Sequence, residues 1–231
     1  MSAHRPSAAL PAPQAFLIDL DGTLVDTLGD FVAVLNQVMP ALGLGRVDAR
    51  FVEHTVGKGS EHLIRSTLAH LGGAAVLYGE AWAAYQQVYA ELNGRHAEIY
   101  PGVREGLERL RERGRPMACL TNKPGDLARE LLRRKGLDGF FVRVAGGDEF
   151  ERKKPDPLPL LKTCEWLGVS PSATWMVGDS SNDARAARAA GCPVVLLSHG
   201  YNHGEPVSGV DAEAYFDRLD QFPAWLQARG L

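Results

Sequence analysis

The stretch Ala15-Phe16-Leu17-Ile18-Asp19-Leu20-Asp21-Gly22-Thr23-Leu24-Val25-Asp26-Thr27 decides how the chain is read. Its apolar start, Ala15–Ile18, runs into a break containing glycine, which is the pattern of a short buried strand entering a loop. Strand residues two apart share a side, so Asp19 and Asp21 can reach one site. Two carboxylates held that close repel by about 4 kcal/mol at ~4 Å if the effective dielectric is ~20. A cation nearby, or a proton on one of them, is therefore required. The plainer alternative is that the aspartates form turns or cap a helix, as Asp beside Gly and Thr often does.

Outward from this stretch the pattern divides. Residues 25–98 hold little that resembles a buried strand and instead offer helical spacings over 31–42, 49–56, 60–71 and 75–92. Phe31, Val34, Leu35 and Val38 mark the first of these helices, with Thr27 or Asp30 available to cap it. This segment reads as a helical insertion. From Pro101 the period becomes helix, strand, loop: a helix through Val103, Leu107 and Leu110, a strand at 117–120 and a helix at 126–135. Strands at 141–145, 174–177 and 193–197 alternate with helices at 158–167 and 182–190. Such alternation implies an α/β fold with a parallel sheet covered by helices on both faces. Ligands of such sheets sit beyond the carboxyl ends of the strands.

Composition narrows the function. The 231 residues carry 25 basic and 28 acidic side chains for a net charge of -3, with no long run of either sign. Electrostatics thus offers no case for nucleic acid or an anionic membrane, and small-molecule chemistry is favoured. Cys119, Cys164 and Cys192 form neither an even set nor a C-x-x-C pair, and read as reduced core residues of a cytoplasmic protein. Residues 1–14 lack a useful apolar run and are expected to be a flexible start. No later run approaches ~18 uninterrupted apolar residues, so a soluble monomer or homodimer is expected.

The rule for strand ends gathers polar residues in one place. The first loop brings Asp19 and Asp21, the loop after Leu120 brings Thr121 and Asn122, and the loop after Val177 brings Gly178-Asp179-Ser180-Ser181-Asn182-Asp183. Lys154, in Lys153-Lys154-Pro155-Asp156-Pro157, is the fourth candidate. These four segments in this order resemble the haloacid dehalogenase superfamily. Its phosphatases carry D-x-D-G-T, a Ser or Thr after the second core strand, a Lys before a proline, and G-D-x-x-x-D. The resemblance implies a Rossmann-like core, here 15–24 and 98–231, and an all-helical cap domain inserted at 25–97.

The same resemblance suggests roles. Asp19 is the expected nucleophile, forming an aspartyl-phosphate that splits one hard hydrolysis into two steps. Asp21 would protonate the leaving oxygen and later deprotonate the attacking water. A phosphate dianion with ionised Asp19 and Asp179 outweighs by one charge a divalent ion plus Lys154, so Asp21 should enter protonated. Mg2+ is the expected ion, given its preference for carboxylate, carbonyl, water and phosphate oxygens. The resemblance implies Asp19, the main-chain carbonyl of Asp21, and Asp179 as its ligands, with Asp183 behind them orienting a metal-bound water or Lys154. Thr121 and the amide of Asn122, together with Lys154, would hold phosphoryl oxygens.

Other patterns fail. Gly57-Lys58-Gly59-Ser60 lacks the Lys after the second glycine that a P-loop needs, and His62 stands where a Rossmann fingerprint has its third glycine. His199 and His203 lie four apart without the carboxylate of a zinc motif. The loop 55–60 is the part of the cap expected to touch substrate. A closer resemblance, to bacterial phosphoglycolate phosphatases, rests on Val56-Gly57-Lys58-Gly59, Tyr100-Pro101-Gly102-Val103, Thr121-Asn122-Lys123-Pro124 and Gly200-Tyr201-Asn202-His203-Gly204-Glu205-Pro206. That family usually has Tyr at the His203 position. It implies hydrolysis of 2-phosphoglycolate, a small phosphorylated metabolite. A substrate with a carboxylate needs a second cation, which Lys58, beside Gly57, could supply unless it is a solvated lysine. The alternatives are a phosphatase for a sugar phosphate or nucleotide, a phosphomutase, a phosphonate hydrolase using Lys58 as a Schiff-base amine, and a catalytically silent binding module.

Overall fold

The computed structural model describes residues 10–231. The strands are β1 (Ala15–Ile18), β2 (Val25–Asp26), β3 (Glu98–Ile99), β4 (Met117–Leu120), β5 (Arg143–Ala145), β6 (Thr174–Gly178), β7 (Val194–Leu197) and β8 (Ala214–Phe216). The helices are α1 (Leu28–Ala41), α2 (Ala49–Thr55), α3 (Ser60–His70), α4 (Tyr78–Leu92), α5 (Val103–Glu112), α6 (Gly125–Lys135), α7 (Leu158–Leu167), α8 (Ser181–Ala190) and α9 (Gln221–Gln227). Six strands form one parallel sheet in the order β5-β4-β1-β6-β7-β8, with β1 flanked by β4 and β6.

Strand periodicity sorts the core into two layers. Phe16 and Ile18 of β1, Met117 and Cys119 of β4, and Trp175 and Val177 of β6 face one way. They pack there with Val103, Leu107 and Leu110 of α5, Ala128, Leu131 and Leu132 of α6, and Phe222 and Leu226 of α9. Leu17, Ala118, Leu120 and Met176 face the other way, against Leu160 and Cys164 of α7 and the alanines of α8. Both faces of each central strand are therefore buried, which is why these strands read as continuous apolar runs. All three cysteines are free and buried.

The helices α1 to α4 make a third apolar cluster of their own, with Phe31, Val34, Leu35, Val52, Leu63, Ile64, Tyr85 and Tyr89 inside it. Two chain passages join them to the sheet, and these pair as an antiparallel ribbon, Val25 with Ile99 and Asp26 with Glu98. The helical spacing of 25–98 does not disclose this ribbon, and β8 and α9 lie beyond the alternation that the sequence shows up to 197. The helix read from 75 begins at Tyr78, because Ala75–Leu77 is a 3-10 turn.

Two further expectations are revised. Neither Thr27 nor Asp30 caps α1 with its side chain. Asp30 is buried inside the helix and accepts hydrogen bonds from the N–H groups of Gly94 (2.6 Å) and His96 (2.7 Å), pinning the turn that leads out of α4. Of the start expected to be flexible, residues 1–9 lie outside the described residues. Residues 10–14 are tied to the core, Trp175 Nε1 donating to Pro11 O at 3.1 Å and Gln14 N–H to Ala173 O at 2.8 Å. Among the described residues, no helix is long and apolar enough to cross a membrane.

Candidate active site

At the carboxyl ends of β1, β4 and β6 the loops converge on one cavity, lined by Asp19, Asp21, Thr121, Asn122, Lys123, Lys154, Asp179 and Asp183. Phe31, Val56, Gly57, Leu63 and Tyr89 from the helical segment close it from above. The space open to the centre of a water-sized sphere is about 40 Å3. That is room for a few waters or a small molecule.

Lys154 is the hub. Its Nζ donates to Asp183 Oδ1 at 2.7 Å and to the Leu120 carbonyl at 2.8 Å, and lies 3.0 Å from Asp19 Oδ1. Only 2% of its side chain is exposed. Burial pushes the ammonium down, but Asp183 and Asp19 outweigh it and hold Lys154 above the ordinary lysine range. Asp183 has a second task as the N3 residue of α8. Its Oδ2 accepts from Ser180 N–H and Oγ and from Asp179 N–H in a capping box. Asp183 therefore orients Lys154 with oxygens already committed.

Asp179 sits in a tight cradle. Thr23 Oγ1 donates to its Oδ1 at 2.7 Å, and Tyr201 N–H donates to Oδ2 at 2.7 Å. A Cβ on Gly22, which has φ +83°, would stand 2.4 Å from Oδ2, and one on Gly200 only 2.2 Å away. The two glycines are present because a carboxylate fills the space a side chain would need. Burial, with Asp183 and Asp19 adding to it, raises the Asp179 carboxyl well above its ordinary range. Burial likewise pushes Asp19 up to about 7 against the pull of Lys154, and Asp183 adds to the rise.

Burial is the main cause of both shifts, and the neighbouring carboxylates add to it. Asp19, Asp179 and Asp183 place carboxylate oxygens within 4.8 Å of one another, and one ammonium leaves two of those charges uncompensated. Asp19 Oδ1 is buried and, apart from the Lys154 ammonium 3.0 Å away, has no polar partner. An all-oxygen, dianionic cluster fits a hard divalent cation. Of the three, Asp183 is the most committed, its Oδ1 to Lys154 and its Oδ2 to three donors at the helix cap, whereas each Asp179 oxygen accepts a single hydrogen bond.

The remaining expected residues are placed as follows. Thr121 and Asn122 both line the cavity, but the Asn122 side chain is spent on structure. It donates to Lys154 O (2.9 Å) and Gly57 O (3.0 Å) and accepts from Lys154 N–H (3.0 Å). Only its main chain is left for a ligand. Gly57 contributes a carbonyl that also receives Asn182 Nδ2 at 3.2 Å, so the loop of the helical segment is tethered to the sheet. Lys58 is exposed and is not among the residues lining the cavity, although Gly57 and Gly59 on either side of it are. His203 Nε2 lies within hydrogen-bond distance of Asn182 Nδ2 (3.3 Å), and His199 stacks on Tyr100 at 3.9 Å.

Residues that sequence reasoning did not single out also belong here. Lys123 lies in the cavity with 1% of its side chain exposed, 3.1 Å from Asp21. Its signal was available, because it stands two residues beyond Thr121 at a strand end. Tyr201 joins Asp179 to the helical segment: its hydroxyl accepts from Thr27 N–H (2.9 Å) and Leu28 N–H (3.0 Å) and donates to Asp26.

Comparison with known proteins agrees with this geometry. The family model described as haloacid dehalogenase-like hydrolase matches residues 16–197. A phosphoglycolate phosphatase of Thiobacillus denitrificans is 39% identical over 215 residues, covering 91% of this chain and 95% of that protein. One of Nitrosospira multiformis is 41% identical over 213 residues, covering 90% and 94%. A crystal structure named as a predicted phosphoglycolate phosphatase from Haemophilus somnus superimposes with a TM-score of 0.89 at 29% identity, covering 93% of this chain and 98% of that one.

Proposed function

The chain belongs to the haloacid dehalogenase-like hydrolases and is a phosphoric monoester hydrolase, and from that premise we propose that it hydrolyses 2-phosphoglycolate to glycolate and phosphate. The observation that carries the chemistry is the meeting of Asp19, Asp21 and Lys154 in one buried cavity. Support for the substrate comes from relatives named phosphoglycolate phosphatase that align over nine-tenths of the chain. The small free volume also favours a compact substrate over a nucleotide.

In the proposed reaction Asp19 attacks phosphorus, the phosphorus–ester oxygen bond breaks, and Asp21 gives its proton to the departing glycolate oxygen. Asp21 then takes a proton from water as the water oxygen bonds to phosphorus and the Asp19–phosphorus bond breaks. Lys154, the Thr121 hydroxyl and the Asn122 main-chain N–H hold the phosphoryl oxygens. Mg2+, held by Asp19, Asp179 and the Asp21 carbonyl, would supply the positive charge that lets a phosphate dianion approach two carboxylates. Residues 25–97 act as a cap that excludes water, residues 15–24 and 98–231 as the catalytic core, and the enzyme works in the cytoplasm as a monomer or homodimer.

A phosphate-release screen over 2-phosphoglycolate, phosphoserine, sugar phosphates and nucleotides, with Mg2+ and with chelator, tests both levels. The expected outcome is Mg2+-dependent release with 2-phosphoglycolate preferred by well over tenfold in kcat/KM. Values within tenfold across the panel overturn the substrate, and no release from any of them overturns the phosphatase.

A further inference from the structure

Lys123 is a buried cation to which the proposed phosphoryl transfer gives no role beyond its contact with Asp21. Its main-chain N–H donates to Thr121 Oγ1 at 3.1 Å, which fixes the loop beyond β4 and turns the side chain into the cavity. There Nζ lies 3.1 Å from Asp21 Oδ1 and donates to the hydroxyl of Tyr89. It also stands over the rings of Tyr89 (4.6 Å) and Phe31 (5.2 Å). An ammonium has three donors, of which Asp21 and Tyr89 take two. The other lysine of the cavity, Lys154, is tied to Asp183, Asp19 and the Leu120 carbonyl, and Lys58 is outside.

We infer that Lys123, with the Tyr89 hydroxyl beside it, is the specificity-determining residue that binds the carboxylate of the substrate. This rests on the proposed hydrolysis of 2-phosphoglycolate. The acid Asp21 has to touch the ester oxygen, and in 2-phosphoglycolate a single methylene separates that oxygen from the carboxyl group. The carboxylate must then fall beside Asp21, where the ammonium of Lys123 stands. Aromatic walls exclude water from the pair, so a substrate lacking the anion leaves the cation without the partner the site is built for. Two different segments compose this subsite: the lysine comes from the sheet, while Phe31 and Tyr89 come from α1 and α4.

The test compares kcat/KM for 2-phosphoglycolate with that for 2-hydroxyethyl phosphate, which keeps the ester and both carbons but ends in a neutral hydroxyl. Wild-type protein, Lys123→Met and Lys123→Gln are measured with Mg2+. The wild type should prefer 2-phosphoglycolate by about 100-fold or more, as a site lined for a charged partner does. Each variant should lose about 100-fold on 2-phosphoglycolate, mostly through KM, and less than about tenfold on 2-hydroxyethyl phosphate. Equal losses on both substrates overturn the inference and make Lys123 a positioning residue for Asp21, as does a preference left unchanged. A wild type that treats the two esters alike overturns the substrate itself, an outcome read before any variant is made. Gln keeps a donor for Asp21 and Tyr89, so the comparison stays decisive if the Met variant does not fold.

Discussion

Asp19 and Asp21 differ by two positions, yet the structure surrounds them differently. Asp19 faces Lys154 and the other carboxylates, whereas Asp21 pairs with Lys123 under Tyr89. Their amide variants should therefore fail differently. Asp19→Asn should abolish turnover and leave no phosphoenzyme on rapid quench. Asp21→Asn should lose about 10²–10⁴-fold in rate, the usual worth of an acid–base group, with phosphoenzyme still formed. Identical quench traces for the two would refute the separation. Lys154→Met poses a different problem, because it leaves Asp183 and Asp19 buried without their cation. Loss of one partner from such a buried pair costs about 3–5 kcal/mol, so urea unfolding should show a large destabilisation alongside lost activity.

At the level of elements, polar contacts hold the helical segment to the rest of the chain, and two of them reach the site besides the Lys123–Tyr89 pair. One is the carbonyl of Gly57, which receives the amides of Asn122 and Asn182. The other is the start of α1, where the hydroxyl of Tyr201 does what Thr27 and Asp30 were expected to do. Because the main-chain N–H of Tyr201 holds Asp179, this one residue links a proposed metal ligand to the entrance of the helical segment. Tyr201→Phe keeps the ring and the main-chain bond but leaves the buried Thr27 N–H without its acceptor, while the half-buried Leu28 N–H keeps Asp26 Oδ1 at 3.1 Å. It should cost about 1–3 kcal/mol in urea unfolding while Mg2+ affinity, followed by titration calorimetry, changes little. A Mg2+ affinity that falls with stability would instead mean that the hydroxyl helps to place Asp179.

The whole molecule carries the electrostatic cost of its site. With Asp19 raised to about 7 and Asp179 raised well above its ordinary range, these two carboxyls hold more protons in the folded chain than in the unfolded one above about pH 4, against a smaller opposite contribution from His62 and His203, which burial holds below the usual histidine range. Stability in chelator should therefore fall as pH rises through about 4 to 7. A divalent cation removes the reason for that fall, so the melting temperature in chelator should drop between pH 5 and 8 and the Mg2+ gain should be larger at pH 8. At about 100 times Kd the gain is about 2.7 kcal/mol, or roughly 5–10 °C for a chain of this size. An equal gain at both pH values would refute the electrostatic account. How much of this was legible beforehand follows from where the information lies. The alternating apolar runs determined the parallel sheet, because strand and helix periods are local and both faces of the central strands are buried. The strand-end polar residues, from Asp19 to Asp183, were readable for the same reason, since topology sends every such loop to one edge. What only the tertiary structure decided was partnership across long separations. Asp30 serves the turn after α4, Tyr201 caps α1, the side chain of Asn122 is spent on Lys154 and Gly57, and Lys123 rather than Lys58 stands inside. A cation's place in the sequence shows that charge is available. Packing decides whether that charge meets water or a buried carboxylate.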